Sequence, residues 1–231
     1  MRIMERQHLI FDADDTLWEN NIYFEEAFDR FCEHLAHSSL NPDQVREKLD
    51  AIEIENNKIH GYGAVNFARN LRQCYATHCE REVAESDLQH VAGLAHKILE
   101  SPMELIAGVA ETIQELAKRQ ELTMFTKGEP AEQAAKIERS GLRPYFDHCE
   151  IVKEKHRDAY LRLAEARNFR HHATWMIGNS PKSDINPALA AGLNAIHIPH
   201  DRTWTLEREE IVNGGGRLLT LSSVRHLLEH F

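Results

Sequence analysis

Cysteine is scarce in this chain. Cys32, Cys74, Cys79 and Cys149 are its four, and none belongs to a Cys-x-x-Cys pair, which excludes a disulfide framework or a zinc knuckle and suits reduced thiols in a cytosol. Long apolar runs are missing as well. Nothing approaches the length needed to span a bilayer and no charged-then-apolar leader opens the sequence, so a cytoplasmic location and no membrane partner are expected. Positive charge is in deficit: 27 Lys and Arg stand against 37 Asp and Glu, a formal net charge of −10. A phosphate backbone needs a cationic surface, so nucleic acid is not expected as a partner, and a small anion binds only where a local cation or a metal offsets the field. Fifteen histidines are present, but His34/His37 and His171/His172 lack a His-Glu-x-x-His setting and read as solvated or packing residues. Repeats and low-complexity linkers are absent. The run Gly214-Gly215-Gly216 is too isolated for a phosphate loop and reads as a flexible turn.

With 231 residues, 42% of them hydrophobic, the chain is long enough for one full core and a smaller second domain. After an apolar first strand, apolar residues recur at three-to-four spacing over Tyr23 to His37, Pro42 to Asn57, Val65 to Thr77 and Ser86 to Glu100, a block of helices. From about Gly108 helices and strands alternate: helix Val109 to Arg119, strand Leu122 to Thr126, helix Ala131 to Ser140, strand Cys149 to Val152. Helix Asp158 to Arg167, strand Thr174 to Ile177, helix Ser183 to Ala191 and strand Ala195 to Ile198 follow. A last strand at Arg217 to Leu221 leads, through a capping Ser222 or Ser223, into a helix ending near Phe231. Such alternation implies a parallel sheet covered on both faces. The helical block then lies in the crossover between strands one and two, where a lid would sit.

The chemistry is concentrated at strand ends. His8-Leu-Ile-Phe-Asp12-Ala-Asp14-Asp15-Thr16-Leu17 breaks from an apolar run into three carboxylates. Carboxylates this dense repel one another and call for a compensating cation, and the carboxyl edge of an open α/β sheet is where such folds keep their sites. A plain strand with an Asp-rich turn is the bland alternative. Thr126-Lys127-Gly128 offers a hydroxyl, a cation and a backbone donor at another strand end, suited to phosphoryl oxygens. Val152-Lys153-Glu154-Lys155 offers a lysine, and Gly178-Asn179-Ser180 followed by Asp184 offers oxygen donors of the hard kind that magnesium takes.

In this order the four motifs resemble those of the haloacid dehalogenase superfamily of phosphohydrolases, and the resemblance covers nearly the whole chain. It implies a Rossmann-like α/β core formed by 1–16 and 106–231, with a helical cap of the C1 type at 17–105 and a hinge-like turn over Thr16 to Asn21. It implies Asp12 as nucleophile and Asp14 as general acid/base, with Thr126 and Lys155 completing the catalytic set. Lys153 is the alternative to Lys155, which is preferred because Tyr160 suits the helix that follows the family's lysine. Mg2+ would be held by Asp12, Asp14, Asn179 and Asp184, and phosphate by Thr126, Lys127, Gly128 and Lys155. Asn179 stands where the family usually carries Asp, removing a negative charge from the metal site. Since halide-displacing members have no second Asp, Asp14 points to phosphate monoesters: a small phosphorylated metabolite hydrolysed through an aspartyl phosphate, by a monomer or homodimer. Phosphosugar mutase activity and a weakly catalytic regulatory or binding role remain alternatives. A phospho-acceptor receiver domain shares the residue set but needs no large insertion. In C1-capped relatives the cap selects substrate, and Asn56, Asn57, Lys58, His60 and Tyr62 in its Gly61-Tyr62-Gly63 turn are the candidates here; a solvated helix exit is the alternative.

Overall fold

The computed structural model describes residues 5–35 and 37–231, so the first four positions of the expected core segment lie outside the described residues. The chain divides into two compact units, the segment through Asn21 with Met103–Phe231, and Ile22–Pro102.

The inserted unit is helical: α1 (Asn21–His34), α2 (Pro42–His60), α3 (Ala64–His78) and α4 (Glu85–His96). The first helix ends three residues before the expected His37, and position 36 lies outside the described residues. Helix α2 starts where Asn41 and Gln44 cap each other reciprocally and Pro42 fills the first turn. It outlasts its expected end at Asn57 by three residues, to the Gly61 cap. Phe28, Phe31, Leu49, Phe67, Leu71, Tyr75 and Val91 make this unit's own apolar core.

In the other unit β1 (His8–Phe11), β2 (Glu121–Lys127), β3 (His148–Val152), β4 (Thr174–Gly178), β5 (Asn194–His197) and β6 (Leu218–Thr220) form one sheet. Its order is β3-β2-β1-β4-β5-β6, with each neighbouring pair parallel. Its helices are α5 (Val109–Leu116), α6 (Pro130–Arg139), α7 (Arg157–Ala166), α8 (Asn186–Ala190) and the short α9 (Leu227–His230). Period-two alternation sorts the strand side chains: Leu9, Phe11, Leu122, Trp175 and Ile177 pack with Ile113 and Phe231 on one face. Ile10, Phe125 and Met176 pack with Tyr160 and Leu163 on the other. Both faces are covered, as continuous apolar strands in a parallel sheet require. Each such side chain taken from water stabilises the fold by roughly 1.5–3 kcal/mol before entropy is counted.

This strand order reverses direction between β1 and β4, and the carboxyl ends flanking the reversal form the crevice where doubly wound sheets bind ligands. The register sets Phe11 beside Met124 and Ile177, and the pairing continues one residue further as Asp12 N donates to Ile177 O (2.9 Å). Asp12, Thr126 and Asn179 therefore leave the sheet at one edge.

Three expectations are corrected. The expected helix Ser183 to Ala191 is a π-helical turn over Pro181–Ile185 followed by α8. Pro187 has no N–H to give the Ser183 carbonyl, and the Tyr160 hydroxyl donates to that carbonyl instead (2.9 Å). The glycine run is not a loose turn: a Cβ on Gly214 or Gly216 would overlap the backbone at Leu189 or Leu193. Ser222 and Ser223 meet the His226 ring (3.3 and 3.1 Å) rather than capping the backbone of the last helical segment.

Candidate active site

Lys155 organises the crevice. Its side chain is almost fully buried, and its ammonium donates to Asp12 Oδ1 and to Asp184 Oδ1 (2.8 Å), so one cation bridges carboxylates from two strand ends. Burial opposes its charge, but Asp12 and Asp184 outweigh burial and hold its pKa above the usual lysine value. Lys153, the alternative, is exposed. Asp184 is inaccessible to solvent; burial first, and then the Asp12 charge, push its carboxyl up to about 7 despite Lys155 and the Ser180 amide. Gly178 makes this approach possible, since a Cβ there would overlap the Asp184 carboxylate. On its other side, Asp12 Oδ2 accepts from Thr16 Oγ1 (3.0 Å), which also lies 3.2 Å from Asn179 Oδ1.

Asp12, Thr16, Lys155, Asn179 and Asp184 thus form one buried cluster, four of them expected and Thr16 added by the structure. Its donors toward a cation are oxygens alone, carboxylates and an amide, the hard set that suits magnesium. Two buried carboxylates share a single lysine, which leaves negative charge that a divalent cation would offset.

Asp14 is placed differently. Its Oδ1 accepts from Trp18 Nε1 (2.7 Å) and its Oδ2 from Gln133 Nε2 (2.9 Å), while Lys136 Nζ lies 2.7 Å from both oxygens. Burial alone would raise this carboxyl; the Lys136 charge and the three donors outweigh it and lower its pKa. The Asp14 carboxylate is committed to α6, away from the metal-ligand role expected of it. Lys136 and Gln133 carry no motif, although their i, i+3 spacing puts them on one face of α6. Asp15 adopts φ 59° and its Oδ1 accepts from the Asn20 and Asn21 amides (both 2.9 Å), locking the turn out of β1. Burial, followed by repulsion from Asp14 and Asp12, raises its carboxyl to about 7. Asp15, Glu19 and His200 bring one potential ligand atom each within 4.8 Å of one another. These atoms already serve that turn and a Glu19–His200 pair (3.3 Å).

The second motif is also rearranged. Thr126 is buried with Oγ1 3.3 Å from Gln133 Oε1. Lys127 Nζ reaches Ser183 Oγ (2.9 Å) and the buried Glu207 (2.6 Å), which also accepts from Ser180 Oγ (2.5 Å). The Gly128 amide donates to Val152 O (3.1 Å), continuing the β2–β3 ladder. Lys127 and Gly128 therefore serve internal bonds rather than the anion-binding role expected of them. Glu207 comes from the loop after β5, a segment with no sequence signal.

In the helical unit, Asn56 Nδ2 donates across to Asn70 Oδ1 (2.8 Å) and Gln73 Oε1 (2.9 Å), which spends it on α2–α3 packing. Asn57 Oδ1 accepts from Asn66 Nδ2 (2.8 Å). Lys58 is exposed and paired with Glu55 (2.8 Å), His60 is exposed at the end of α2, and Tyr62 sits in the glycine turn, half-buried.

Comparison with known proteins agrees with this geometry. Residues 7–192 match the family model of the haloacid dehalogenase-like hydrolases. The chain is similar to a haloacid dehalogenase-like family hydrolase from Xanthomonas campestris, at 30% identity and TM-score 0.82 over 97% of this chain and 92% of that one. It has the fold of the putative HAD-hydrolase YfnB from Bacillus subtilis, whose structure is bound to magnesium (18% identity, TM-score 0.67, 97% of this chain and 98% of that one). Several other solved structures of this fold are of dehalogenases. A glyceraldehyde 3-phosphate phosphatase from Pyrococcus furiosus is 24% identical over 210 residues, 87% of this chain and 84% of that protein. By sequence model, fold and strand-end carboxylates alike, the chain belongs to the haloacid dehalogenase-like hydrolases.

Proposed function

We propose that the protein is a magnesium-dependent phosphohydrolase that cleaves a small phosphate monoester through an aspartyl phosphate on Asp12. The observation that carries this reading is the Asp12 carboxylate at the end of β1, bonded to the buried Lys155 and Thr16 and followed two residues later by Asp14. The relationship to a phosphatase supports the same reaction class. Asp12 forms a bond to phosphorus as the ester oxygen leaves; that oxygen takes a proton delivered by Asp14. A water then attacks the aspartyl phosphate, gives its proton back to Asp14, and inorganic phosphate departs with Asp12 restored. Lys155 holds Asp12 in line and meets charge on the transferring oxygens, with Thr126 as the other candidate contact. Asp12, Asp184 and Asn179 would hold Mg2+, which when bound neutralises charge on the phosphoryl group. Lys136, Gln133 and Trp18 hold Asp14 as the carboxylate, so to serve as the acid it must leave them and first take up a proton from solvent, which it then passes to the leaving oxygen and regains from the attacking water. The inserted helical unit is read as the cap, with Lys58, His60 and Tyr62 as its candidates for substrate selection. The test is a panel of phosphate monoesters and 2-chloropropionate with and without magnesium. Magnesium-dependent phosphate release without chloride release is expected; chloride release without phosphate release overturns the reading.

A further inference from the structure

Asn179 is a neutral amide in a buried cluster of carboxylates, and its surroundings are built for an amide. The ends of an amide side chain are alike in shape, so only hydrogen bonding assigns them. Here the assignment is settled by Thr203, which lies in the loop after β5. The backbone carbonyl of His200, which can only accept, takes the single hydroxyl proton of Thr203 (2.8 Å) and the Thr203 amide as well (3.0 Å). The hydroxyl's remaining capacity is as an acceptor, and it receives Asn179 Nδ2 at 3.1 Å. Asn179 Oδ1 must then face the opposite way, toward Thr16 and Asp12.

Thr16 does not saturate that oxygen. Its hydroxyl accepts from Asn179 N (3.2 Å), and its one proton has two acceptors, Asp12 Oδ2 at 3.0 Å and Asn179 Oδ1 at 3.2 Å. The nearer and charged acceptor takes it. Asn179 Oδ1 is left, beside Asp12, with only the longer share of that one hydroxyl proton, so this buried oxygen keeps lone-pair capacity for a cation. The backbone is fixed too, with His197 Nε2 3.2 Å from Asn179 O. A carboxylate at 179 would set an oxygen against Thr203 Oγ1, which keeps its acceptor side toward that position as long as its proton stays on His200.

We propose that Thr203 is a positioning residue that holds the Asn179 amide with its oxygen toward Asp12, so that position 179 serves the metal site as a neutral, oriented ligand. The assignment deepens the metal-dependent reading above and rests on it. Partners that orient a metal ligand from behind are typically worth about 10–100-fold in metal affinity.

The experiment is Mn2+ binding to the full chain, read as loss of the free-ion electron paramagnetic resonance signal, for wild type, Thr203→Val, Thr203→Ser, Asn179→Ala and the Thr203→Val/Asn179→Ala pair. Valine keeps the volume of threonine, and the Thr203 amide still bonds His200 O, so the loop is retained; Thr203→Ala repeats the measurement if valine does not fold. Thr203→Val should weaken Mn2+ binding about tenfold. Thr203→Ser, which keeps the hydroxyl, should bind as wild type does, and Thr203→Val should cost nothing further once Asn179 is alanine. Equal binding by wild type and Thr203→Val, or an equal loss in both backgrounds, overturns the assignment while leaving the metal-dependent reading in place. Wild type that takes up no Mn2+ overturns both.

Discussion

At the scale of single residues, the site separates into carboxylates that share a cation and one that has its own. Asp12 and Asp184 share Lys155, whereas Asp14 is held by Lys136, Gln133 and Trp18. If Asp14 moves protons, Asp14→Asn should lower kcat about a hundredfold or more for alkyl phosphates, whose leaving groups need a proton, and far less for aryl phosphates. Steady-state rates on the two classes check this, and equal losses would assign Asp14 a structural part only. Asp12, Lys155, Asn179 and Asp184 were legible because polar residues follow apolar strands in an order that resembles the family's four motifs, and that resemblance, rather than position alone, chose Lys155 over Lys153. Lys136, Gln133, Thr203 and Glu207 were not legible: their roles arise from tertiary approach, and nothing local distinguishes them from surface or loop residues. The same blindness misplaces Lys127, whose cation is engaged by Glu207 from a loop eighty residues later.

Among the elements, helix α2 carries the clearest local conflict with its surroundings. Glu53 is buried against α3 with Asn70 as a hydrogen-bond partner, and its Oε2 has no partner among the described residues. Burial, then the Asp50 and Glu25 charges, raise its carboxyl to about 8, with Arg46 opposing. The folded unit therefore holds this proton more tightly than the unfolded chain does. Its contribution to stability is complete below the unfolded carboxyl range near pH 4.5, declines as pH rises, and is gone above about 8. Glu53→Gln keeps the shape without the charge, so α2–α3 amides should be more protected than in wild type at pH 8, by up to a few kcal/mol, with the advantage shrinking toward pH 5. Hydrogen exchange at both pH values measures this; a difference that does not change with pH would mean that Glu53 is not protonated in the fold. Element boundaries follow a comparable logic. Helices and strands were legible from period, whereas the π-helical turn at Pro181–Ile185 depends on Pro187 removing one donor and on Tyr160 supplying another, a pairing that spans two elements.

For the molecule as a whole, alternation of strands and helices after Gly108 led to the parallel sheet, and the chain does form one, in the order β3-β2-β1-β4-β5-β6. The strand order itself was not readable from period. It matters because the reversal between β1 and β4 is what sets Asp12 beside Asn179 and Asp184, residues more than 160 positions apart in sequence. A chain with a net charge of −10 handles an anion, on this account, by burying one lysine among carboxylates at that reversal and adding a divalent cation. The most direct test of the central claim is to trap the covalent intermediate: wild type and Asp12→Asn are mixed with an aryl phosphate and magnesium, quenched in acid, and analysed by intact-mass and peptide mass spectrometry. The account predicts one phosphoryl group on the Asp12 peptide of the wild type, and neither adduct nor turnover in a folded Asp12→Asn. Phosphate release by Asp12→Asn above background, or an adduct on any other residue, would contradict it.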